Sequence, residues 1–590
     1  MNKNLFLITT AEKASWRYNS SILFLGEWCK TYENKSDRKT FNAKVADYHW
    51  DDRKKVFNDY KYLRNIYEKL LVDLSKALNS FHRTNHSLRY WRILIGPWLL
   101  YFTEMLFDRW ETIHNTISKH QISNTIIIET PKELVIPKDM SDFKKLYSSD
   151  LWNHVMYSNI IRNHTSLNYQ IIDHESNLLF NKFKAGKTSI FFKKLKLYLR
   201  KSLYLIINNF SRNEDAVLVD TYLDSKIELL LQMSLKQFPV IRSKTDEIEF
   251  IEPDLHLRKQ IPTLLSNQKG FEKFLRTIIF DNIPTSYLEG YKRLILKVKS
   301  LNWPQKPKFI FTCAAYNMDE VFKAWAAKCV DKGSPLFIGQ HGGNLGSALW
   351  TSSEDHEVAI SDRYITWGSY NGNPKQYPLG IIKNLYGKIW KYDCSGELLI
   401  INNMTPRYSY VMSSIPIASK QRKISIKKQF EFVDHLSQNI TTQLKVRIFN
   451  PDWGWCQTER WKNKFPNIKL DLADKPLKNS ISKSRLIIVN CNGTVLLETL
   501  SMNIPTIIFW DPNLNEIRPS AQPFFNKLAS AEILFYNPED AAKKVNQIWD
   551  NVNDWWFSNK TQEARKIFCS KFANQPKKPL QKLKKSLTFN

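Results

Sequence analysis

The stretch SRLIIVNCNGTVLLETLSMNIPTIIFW, residues 484–510, decides the fold class. Its first part is an apolar run rich in Ile and Val that ends at Asn490, which is typical of a buried strand. A short polar loop, residues 491–494, then opens an apolar helical pattern that stops before Pro505, and a second apolar run follows at 506–510. The order strand, helix, strand predicts a crossover between two parallel strands.

Similar apolar runs recur along the whole chain, separated by longer helical patterns, which indicates α/β units. A first series comprises residues 5–9, 21–26, 125–130, 216–222, 308–313, 335–339 and 363–368, and a second comprises 397–402, 444–450, 485–490, 506–510 and 532–536. Between them lies SYNGNPKQYPLG, residues 369–380, whose Gly, Pro and Asn content indicates a hinge.

We therefore predict an α/β protein of two Rossmann-like domains that face each other across a cleft. The first, residues 1–385, would bind the acceptor and carry a helical insertion at about 31–120. The second, residues 386–575, would bind a nucleotide donor, and residues 576–590 would form a flexible basic tail.

Charge and composition narrow the partners. The 590 residues carry a formal net charge of +29, which favours an anionic partner such as nucleic acid, anionic lipid or a phosphorylated substrate. Residues 182–207 combine Lys and Arg with Phe, Leu and Tyr, as in a basic helix on a membrane surface or in a solvated face of a core helix. The 7 cysteines include no C-x-x-C pair, which indicates reduced thiols in a cytosolic protein. The longest apolar stretch, residues 93–107, is interrupted by Glu104 and predicts a buried helix rather than a membrane span.

The stretch FIGQHGGNLG, residues 337–346, places His341 after a predicted strand and before three glycines, in a chain that has only 17. This spacing predicts a sharp bend that brings backbone close to a ligand. His341 would then face the cleft as a general base or as an anion-binding group, with a hydrogen-bonded structural histidine as the alternative. We predict catalytic roles for His341, Asp220, Glu354 and Glu357, and substrate contacts for Gln340, Gly342, Gly343 and Asp362.

The second domain carries the clearest binding signal, at residues 490–498. A helix that begins near Thr494 offers unpaired N–H groups and a partial positive charge to a phosphate, and Gly493 allows a close approach. An ordinary capped crossover is the alternative. Ligands in open α/β sheets lie at the carboxyl ends of strands. An arginine at such a strand end can instead form a surface salt bridge, which is the alternative for Arg407 and Arg447. The predicted donor contacts are therefore Arg407, Arg447, Asn450, Asn492, Gly493, Thr494 and Glu498.

Several common motifs are absent. The chain has no G-x-G-x-x-G, so a dinucleotide site lacks its usual support. AGKTS, residues 185–189, lacks the first glycine of a phosphate loop because that position holds Asn181. His356 and Glu357 are adjacent, but there is no H-E-x-x-H, so we expect no metal.

Several segments together resemble the surface-polysaccharide (O-antigen) transferases of bacteria, from about residue 5 to 575. The segments are LITTAEKASW, FLGEWC, RYWRILIGPWL, QHGGNLG, EDHEVAISDRYITWG and SRLIIVN…GTVLLETLSMNIPTIIFW. More remotely, the arrangement is similar to two-domain GT-B glycosyltransferases, including capsule Kdo transferases and the glycerophosphate transferases of teichoic acid assembly. Some GT-B enzymes hold a CMP-sugar phosphate with a His-Pro pair, and the corresponding pair here is Asn450–Pro451.

The resemblance implies a cytoplasmic glycosyltransferase, peripheral to the inner face of the cytoplasmic membrane. It would move an acidic sugar, Kdo or a nonulosonic acid, from a CMP-activated donor to a glycan or lipid-linked acceptor, without a cofactor or metal. A UDP- or GDP-sugar transferase and a CDP-polyol phosphotransferase are the alternatives within this class. A non-enzymatic nucleic-acid or membrane scaffold is the alternative outside it, but no nucleic-acid-binding motif occurs, so we expect no nucleic-acid partner.

Overall fold

A computed structural model describes residues 5–18, 20–32, 43–173, 211–242, 244–245, 248–261, 264 and 268–588. Three parallel sheets organise this part of the chain. The basic segment predicted at 182–207 lies outside the described residues.

The N-terminal sheet has the strand order β3-β2-β1-β4-β5, and every neighbouring pair is parallel. Its strands are β1 (Leu5–Ile8), β2 (Ile22–Phe24), β3 (Ala43–Val45), β4 (Ile122–Glu129) and β5 (Tyr169–Asp173). Its helices are α1 (Arg53–His82), α2 (Leu88–Lys119), α3 (Met140–Leu146) and α4 (Asp150–His164).

The middle sheet follows the chain in simple sequence, β10-β9-β8-β7-β6, and is also parallel. Its strands are β6 (Val217–Leu218), β7 (Ile310–Thr312), β8 (Leu336–Gly339), β9 (Arg363–Thr366) and β10 (Gln376–Pro378). Its helices are α5 (Ser225–Ser234), α6 (Leu255–Gln260), α7 (Gly270–Asn282), α8 (Tyr291–Lys299), α9 (Ala315–Met318), α10 (Glu320–Asp331) and α11 (Ser352–Ile360).

The C-terminal sheet has the parallel order β13-β12-β11-β14-β15-β16. Its strands are β11 (Glu397–Ile401), β12 (Leu444–Arg447), β13 (Lys469–Asp471), β14 (Ser484–Val489), β15 (Thr506–Phe509) and β16 (Leu534–Phe535). Because the chain reverses its direction of travel between β11 and β14, the carboxyl ends of these two strands form the crevice where ligands bind in such sheets.

Ten further helices complete the described C-terminal part. They are α12 (Ser419–Asp434), α13 (Gln438–Thr441), α14 (Gln457–Lys464), α15 (Leu477–Ile481), α16 (Thr494–Ser501), α17 (Gln522–Ser530), α18 (Pro538–Ile548), α19 (Val552–Trp556), α20 (Asn559–Phe572) and α21 (Pro579–Ser586). Single-turn 3-10 helices occur at 13–15, 27–29, 49–51, 132–134, 285–287, 382–384, 512–514 and 549–551.

The prediction of an α/β fold of parallel, Rossmann-like sheets is confirmed by this topology. The region assigned to the first domain nevertheless contains two sheets, the N-terminal one and the middle one. Apolar runs identify strands, but they do not say which strands pair. The boundary proposed near residue 385 stays a prediction and falls between β10 and β11.

The region predicted as a helical insertion forms β3 and the long helices α1 and α2, and both helices contribute side chains to the core shared with the N-terminal sheet. Every residue from Ile93 to Phe107 in α2 is buried, as the sequence predicted. None of the described helices is long and apolar enough to cross a membrane.

The middle sheet is covered on both faces. Alternate residues of β8 point to opposite sides of this sheet and show which core covers each face. Leu336 and Ile338 pack into the core shared with the N-terminal sheet, whereas Phe337 packs into the core shared with the C-terminal sheet.

The chain end closes the second of these cores. Leu583 and Leu587 are buried there, and Asn574 donates to the carbonyl of Trp367 in the middle sheet. Residues 579–586 are therefore a packed helix, so the flexible tail predicted here is wrong. The five tail lysines masked the apolar spacing of the two leucines.

Candidate functional site

The glycine-rich loop that follows β8 is held in shape by Gln340. The side-chain amide of Gln340 donates to the carbonyls of Gly342 and Leu345, at 2.7 and 3.2 Å, and its oxygen accepts from the Trp367 N–H at 2.8 Å. Both the nitrogen and the oxygen of this buried amide have hydrogen-bond partners within the protein, so Gln340 shapes the loop. In this arrangement the amide is not available for the substrate contact that was predicted for it.

The same loop packs directly on the amino end of α16. A Cβ placed on Gly343 would lie 2.2 Å from the carbonyl carbon of Gly493 and 2.3 Å from the Thr494 nitrogen, so only glycine fits. One further contact joins the two sides, because Asn492 Nδ2 donates to Ser347 Oγ at 3.0 Å. The structure thus brings the loop of the middle sheet and the helix of the C-terminal sheet together, as predicted.

His341 forms an ion pair with a buried carboxylate. Its Nδ1 lies 2.7 Å from Glu357 Oε1, and 36% of its side chain remains exposed while Glu357 is fully buried. Tyr316 donates its hydroxyl to the same oxygen of Glu357. Burial alone would lower the pKa of His341, but the Glu357 charge outweighs it, so the pKa is raised.

The amino end of α16 is uncapped. Its N-cap residue is Gly493, and no side chain accepts a hydrogen bond from its first turn. The N–H groups of this turn and the helix dipole therefore present a partial positive charge. The tip lies next to β14, one of the two strands that form the crevice.

Unsatisfied amides line the crevice between β11 and β14. Asn402 and Asn490, directly after these strands, are buried, and both polar atoms of each side chain lack a hydrogen-bond partner among the residues that the structure describes. Within the same ranges the buried Oδ1 atom of Asn492 has no partner either. Because buried polar groups are nearly always satisfied, these three amides point to a polar ligand.

Arg422, on α12, adds a buried positive charge to the crevice. Its guanidinium donates to the carbonyls of Asn403 and Pro416 and to Thr405 Oγ1, and no carboxylate among the described residues contacts it. Burial lowers its pKa to about 10. A buried arginine without a counter-ion is costly, so an anionic ligand would be bound favourably here.

A small recess of about 20 Å³ adjoins the crevice, between α12 and the ends of β14 and β15. Asn490, Trp510 and Asn515 line it. Among the described residues, the Trp510 indole N–H and Asn515 Oδ1 are also buried without partners. The recess has room for about one water molecule, so it contributes unused donors and acceptors at its mouth and is not an enclosed nucleoside pocket.

Lys383 stands between the two sheets, in the 3-10 helix Ile382–Asn384. Its Nζ lies 3.7 Å from Glu498 Oε1 on α16 and 4.9 Å from the ring centroid of Tyr222. Burial raises the pKa of Tyr222, and the carboxylates of Asp220 and Glu357 add to the shift. Lys383 and Tyr222 therefore link Glu498, a predicted donor contact, with Asp220 and Glu357, which were predicted as catalytic groups.

Two predicted site carboxylates serve other contacts. Glu354 is buried, and its Oε2 accepts from the Gly346 N–H at 3.1 Å and from Arg518 at 2.8 Å, so it anchors the loop to the C-terminal part. Asp362 precedes β9 instead of following it, so it lies at the amino edge of the sheet, where Arg89 holds both oxygens. Neither carboxylate is available to a substrate in this arrangement.

Two predicted phosphate-binding arginines are likewise committed to carboxylates. Arg407 is buried against Asp150 and the carbonyl of Trp28, both in the N-terminal part. Arg447 pairs with Asp471 Oδ2 at 2.7 Å, across neighbouring strands. Both are ion pairs of the fold, the alternative considered for them.

Asn450 lies exposed in the loop after β12, with a cis peptide bond to Pro451. That loop approaches Arg407, because a Cβ on Gly454 would lie 3.1 Å from Arg407 Nε. Gly342 is closer to the centre of the site, since a Cβ on it would lie 3.8 Å from Thr494 Oγ1.

Within the described ranges, no group of three or more His, Cys, Asp or Glu side chains is arranged to hold a metal ion. Sequence reasoning missed Tyr316, Lys383 and Arg422. Tyr316 and Arg422 lie in α-helices and Lys383 lies in the 3-10 helix Ile382–Asn384, and no local sequence motif marks these three residues. The only available signal was the proximity of Lys383 to the predicted hinge.

A family model for LIC12162 family transferases matches residues 5–587. The chain belongs to this family. The prediction of a group-transferring enzyme is thereby confirmed for this transferase. No match is found among curated proteins.

Several solved structures are similar in part to this transferase. MurG from Acinetobacter baumannii covers 63% of this chain and 99% of its own, with 11% identity and a TM-score of 0.31. A UDP-N-acetylglucosamine 2-epimerase covers 60% and 94%, with 11% identity and a TM-score of 0.31. The spinosyn forosaminyltransferase SpnP covers 63% and 99%, with 9% identity and a TM-score of 0.28. At such TM-scores these similarities decide nothing about the reaction.

Proposed function

We propose that the protein is a glycosyltransferase of surface-polysaccharide synthesis that uses a nucleotide-activated sugar. One observation carries this proposal: the loop after His341 seats on the amino end of α16, with Gly343 against Gly493. In this proposal His341, on the middle sheet, is a general base that faces an anion-binding helix tip on the C-terminal sheet. A direct displacement needs the base and the leaving-group site on opposite sides of the reacting carbon.

The donor half would be the C-terminal crevice. The nucleoside would lie over the mouth of the recess lined by Trp510 and Asn490, and the phosphate would lie between the tip of α16 and Arg422. As the bond between the sugar and the phosphate breaks, negative charge grows on the phosphate oxygen. The helix amides and the guanidinium would stabilise that charge, which supports a mechanism without a metal.

The acceptor half would be the dyad of His341 and Glu357. An acceptor hydroxyl would attack the anomeric carbon and pass its proton to Nε2 of His341, because Nδ1 faces Glu357. The Glu357 carboxylate would stabilise the imidazolium that forms. Asp220, in the same space, would stabilise the oxocarbenium-like transition state.

For the donor we propose a CMP-activated acidic sugar, Kdo or a nonulosonic acid. The net charge of +29 and the cation of Lys383 beside His341 support a carboxylate-bearing sugar. UDP- or GDP-sugars and a CDP-polyol phosphate remain the alternatives. The acceptor would be a glycan or a lipid-linked glycan at the inner face of the cytoplasmic membrane.

A nucleotide panel tests the donor half. We expect one of CMP, UDP and GDP to raise the Tm of the purified protein, and we expect R422M to abolish that shift while R447M, whose arginine lies outside the crevice, preserves it. Equal shifts in the wild type and R422M would refute the assigned phosphate site.

A turnover assay tests the reaction. With the selected activated sugar and a glycan acceptor, the wild type should release nucleotide, and H341Q should release it at least about 100-fold more slowly. Nucleotide binding without any transfer across the donor and acceptor panel would favour a non-enzymatic scaffold.

A further inference from the structure

Helix α5, at the edge of the middle sheet, presents an unusual face to solvent. Lys226, Leu230 and Met233 follow the spacing i, i+4, i+7, which places them on one stripe of the helix. Leu230 is 48% exposed and Met233 is 60% exposed. A surface stripe of a helix is normally polar, so these two side chains need an explanation.

The loop after α5 extends the apolar surface. Gln232 on α5 donates to the carbonyl of Val240 and accepts from its N–H, so the loop is fastened against the helix. Two exposed apolar side chains, Phe238 at 48% and Ile241 at 43%, lie on this loop. We define the α5 patch as Leu230, Met233, Phe238 and Ile241, four exposed apolar side chains on α5 and on the loop that is fastened to it.

Cations surround the carboxyl end of α5. Lys584 on α21, Lys308 before β7 and Arg212 donate in turn to the carbonyls of Ser234, Leu235 and Lys236. Burial lowers the pKa of Lys308, the Asp215 carboxylate raises it, and Arg212 and Lys584 lower it, so these charges are close neighbours. Asp215 Oδ1 lies 3.4 Å from Arg212 Nε and offsets part of the positive charge. Lys226 and Lys236 are exposed beside them.

We propose that the α5 patch docks on the surface of an anionic lipid bilayer. The aliphatic side chains would enter the boundary between headgroups and acyl chains, and the surrounding cations would meet the headgroup phosphates. Nucleic acid would be expected to meet stacking aromatic residues or arginine forks, whereas three of the four patch residues are aliphatic.

This surface is separate from the proposed catalytic site, so the inference does not depend on glycosyl transfer. None of its residues belongs to the crevice or to the His341 dyad. It would hold the enzyme where a lipid-linked acceptor is found, without any contact to the reacting groups.

Vesicle sedimentation of the full-length protein tests the proposal. We expect binding to vesicles of phosphatidylcholine with 30% phosphatidylglycerol and little binding to phosphatidylcholine alone. The double variant K226Q/K236Q should bind about 25-fold more weakly, from about fivefold for each cation removed. The double variant L230S/M233S should bind at least about tenfold more weakly.

Matched variants on other surfaces supply the control. K69Q/K76Q removes two exposed lysines from α1, and L296S removes an exposed leucine from α8. Both should bind vesicles like the wild type, and all variants should keep the wild-type Tm. Equal losses in the K69Q/K76Q control would mean that net charge alone drives binding. Unchanged vesicle binding in both patch variants, or patch-dependent binding of duplex DNA without vesicle binding, would overturn the proposal.

Discussion

The protonation of His341 is controlled by Glu357, and Tyr316 moderates the effect of Glu357. The Glu357 carboxylate stabilises the imidazolium and so raises the pKa of His341. A general base must be neutral, so activity should rise with pH through this pKa. In E357Q the pull of the carboxylate is lost, and we expect the acid limb of kcat/KM to move to lower pH.

The variant Y316F is expected to shift the pKa of His341 in the direction opposite to that of E357Q. Its hydroxyl donates to Glu357 and spreads the carboxylate charge, which weakens the pull on His341. In Y316F the limb should move to higher pH. Histidine NMR titrations of both variants check the assignment, and shifts in the same direction would contradict it.

Substitutions of two buried arginines are expected to have opposite effects on stability and on nucleotide binding. Arg407 neutralises Asp150, so R407M leaves a carboxylate without its partner and should cost about 3 kcal/mol of unfolding free energy. Arg422 has no carboxylate partner among the described residues, so R422M removes an uncompensated buried charge and should cost clearly less. Denaturant titrations give both values. Nucleotide binding should be lost in R422M and kept in R407M, and the reverse pattern would exchange their roles.

At this scale the sequence predicts groups near a backbone signal better than pairs of distant residues. His341 and Gly343 were found because glycines mark a bend next to a strand. Arg407 was misassigned because its partner Asp150 lies 257 residues earlier, and no local pattern announces that pair. Arg422 was missed for a different reason: its contacts, with Asn403, Thr405 and Pro416, are close in the sequence but involve two backbone carbonyls and a hydroxyl, which no motif marks.

At the scale of elements, the contact between the glycine loop and α16 makes a sharp prediction. In G343A the new Cβ meets backbone atoms of residues 493 and 494, so the loop must move away from the helix tip. We expect nucleotide affinity and turnover to fall at least about tenfold each, because the anion site and the base separate.

G342A is the matched variant for folding. Its Cβ would meet Thr494 Oγ1 at 3.8 Å, an ordinary contact, so its Tm should equal that of the wild type. G343A should have the lower Tm of the two. Equal Tm values and equal nucleotide affinities for G342A, G343A and the wild type would show that the two elements are not in contact in solution.

Strands were predicted according to their burial. The predicted apolar runs coincide with the interior strands of the described sheets, because parallel strands covered on both faces need apolar side chains throughout. These are β1, β2, β4, β7, β8, β9, β11, β12, β14 and β15, and two edge strands, β6 and β16, were predicted as well. The unpredicted strands are β3, β5, β10 and β13, and each lies at the edge of a sheet. An edge strand faces solvent, so β3 and β13 carry lysines and no continuous apolar run.

At the scale of the whole molecule, Glu104 joins three parts of the chain. It lies on α2, bonds Ser352 of the middle part and accepts from the Met412 N–H of the C-terminal part at 2.8 Å. Burial raises the pKa of this carboxyl group to about 8. A pKa that is higher in the folded state means stability that is complete below the unfolded value of about 4.5 and is lost as pH rises through 8.

In the isosteric variant E104Q the amide oxygen can accept from the Met412 N–H and the amide N–H can donate to Ser352 Oγ, so two hydrogen bonds remain and this titration is removed. We expect wild-type unfolding free energy to fall more steeply with pH than that of E104Q, by up to about 1.4 kcal/mol per pH unit below pH 8. Denaturant titrations at pH 5.5, 7 and 8.5 measure the difference. E563Q, at an exposed position of α20, should follow the wild type, and parallel curves for E104Q and the wild type would disprove the assignment.

The return of α21 to the middle sheet has a consequence for biosynthesis. The side chains of Leu583 and Leu587 pack in a core that also contains Leu218 and Phe337, which are translated hundreds of codons earlier. While residues 583 and 587 are still inside the exit tunnel of the ribosome, they cannot reach that core. This core can therefore be completed only after both leucines have left the tunnel.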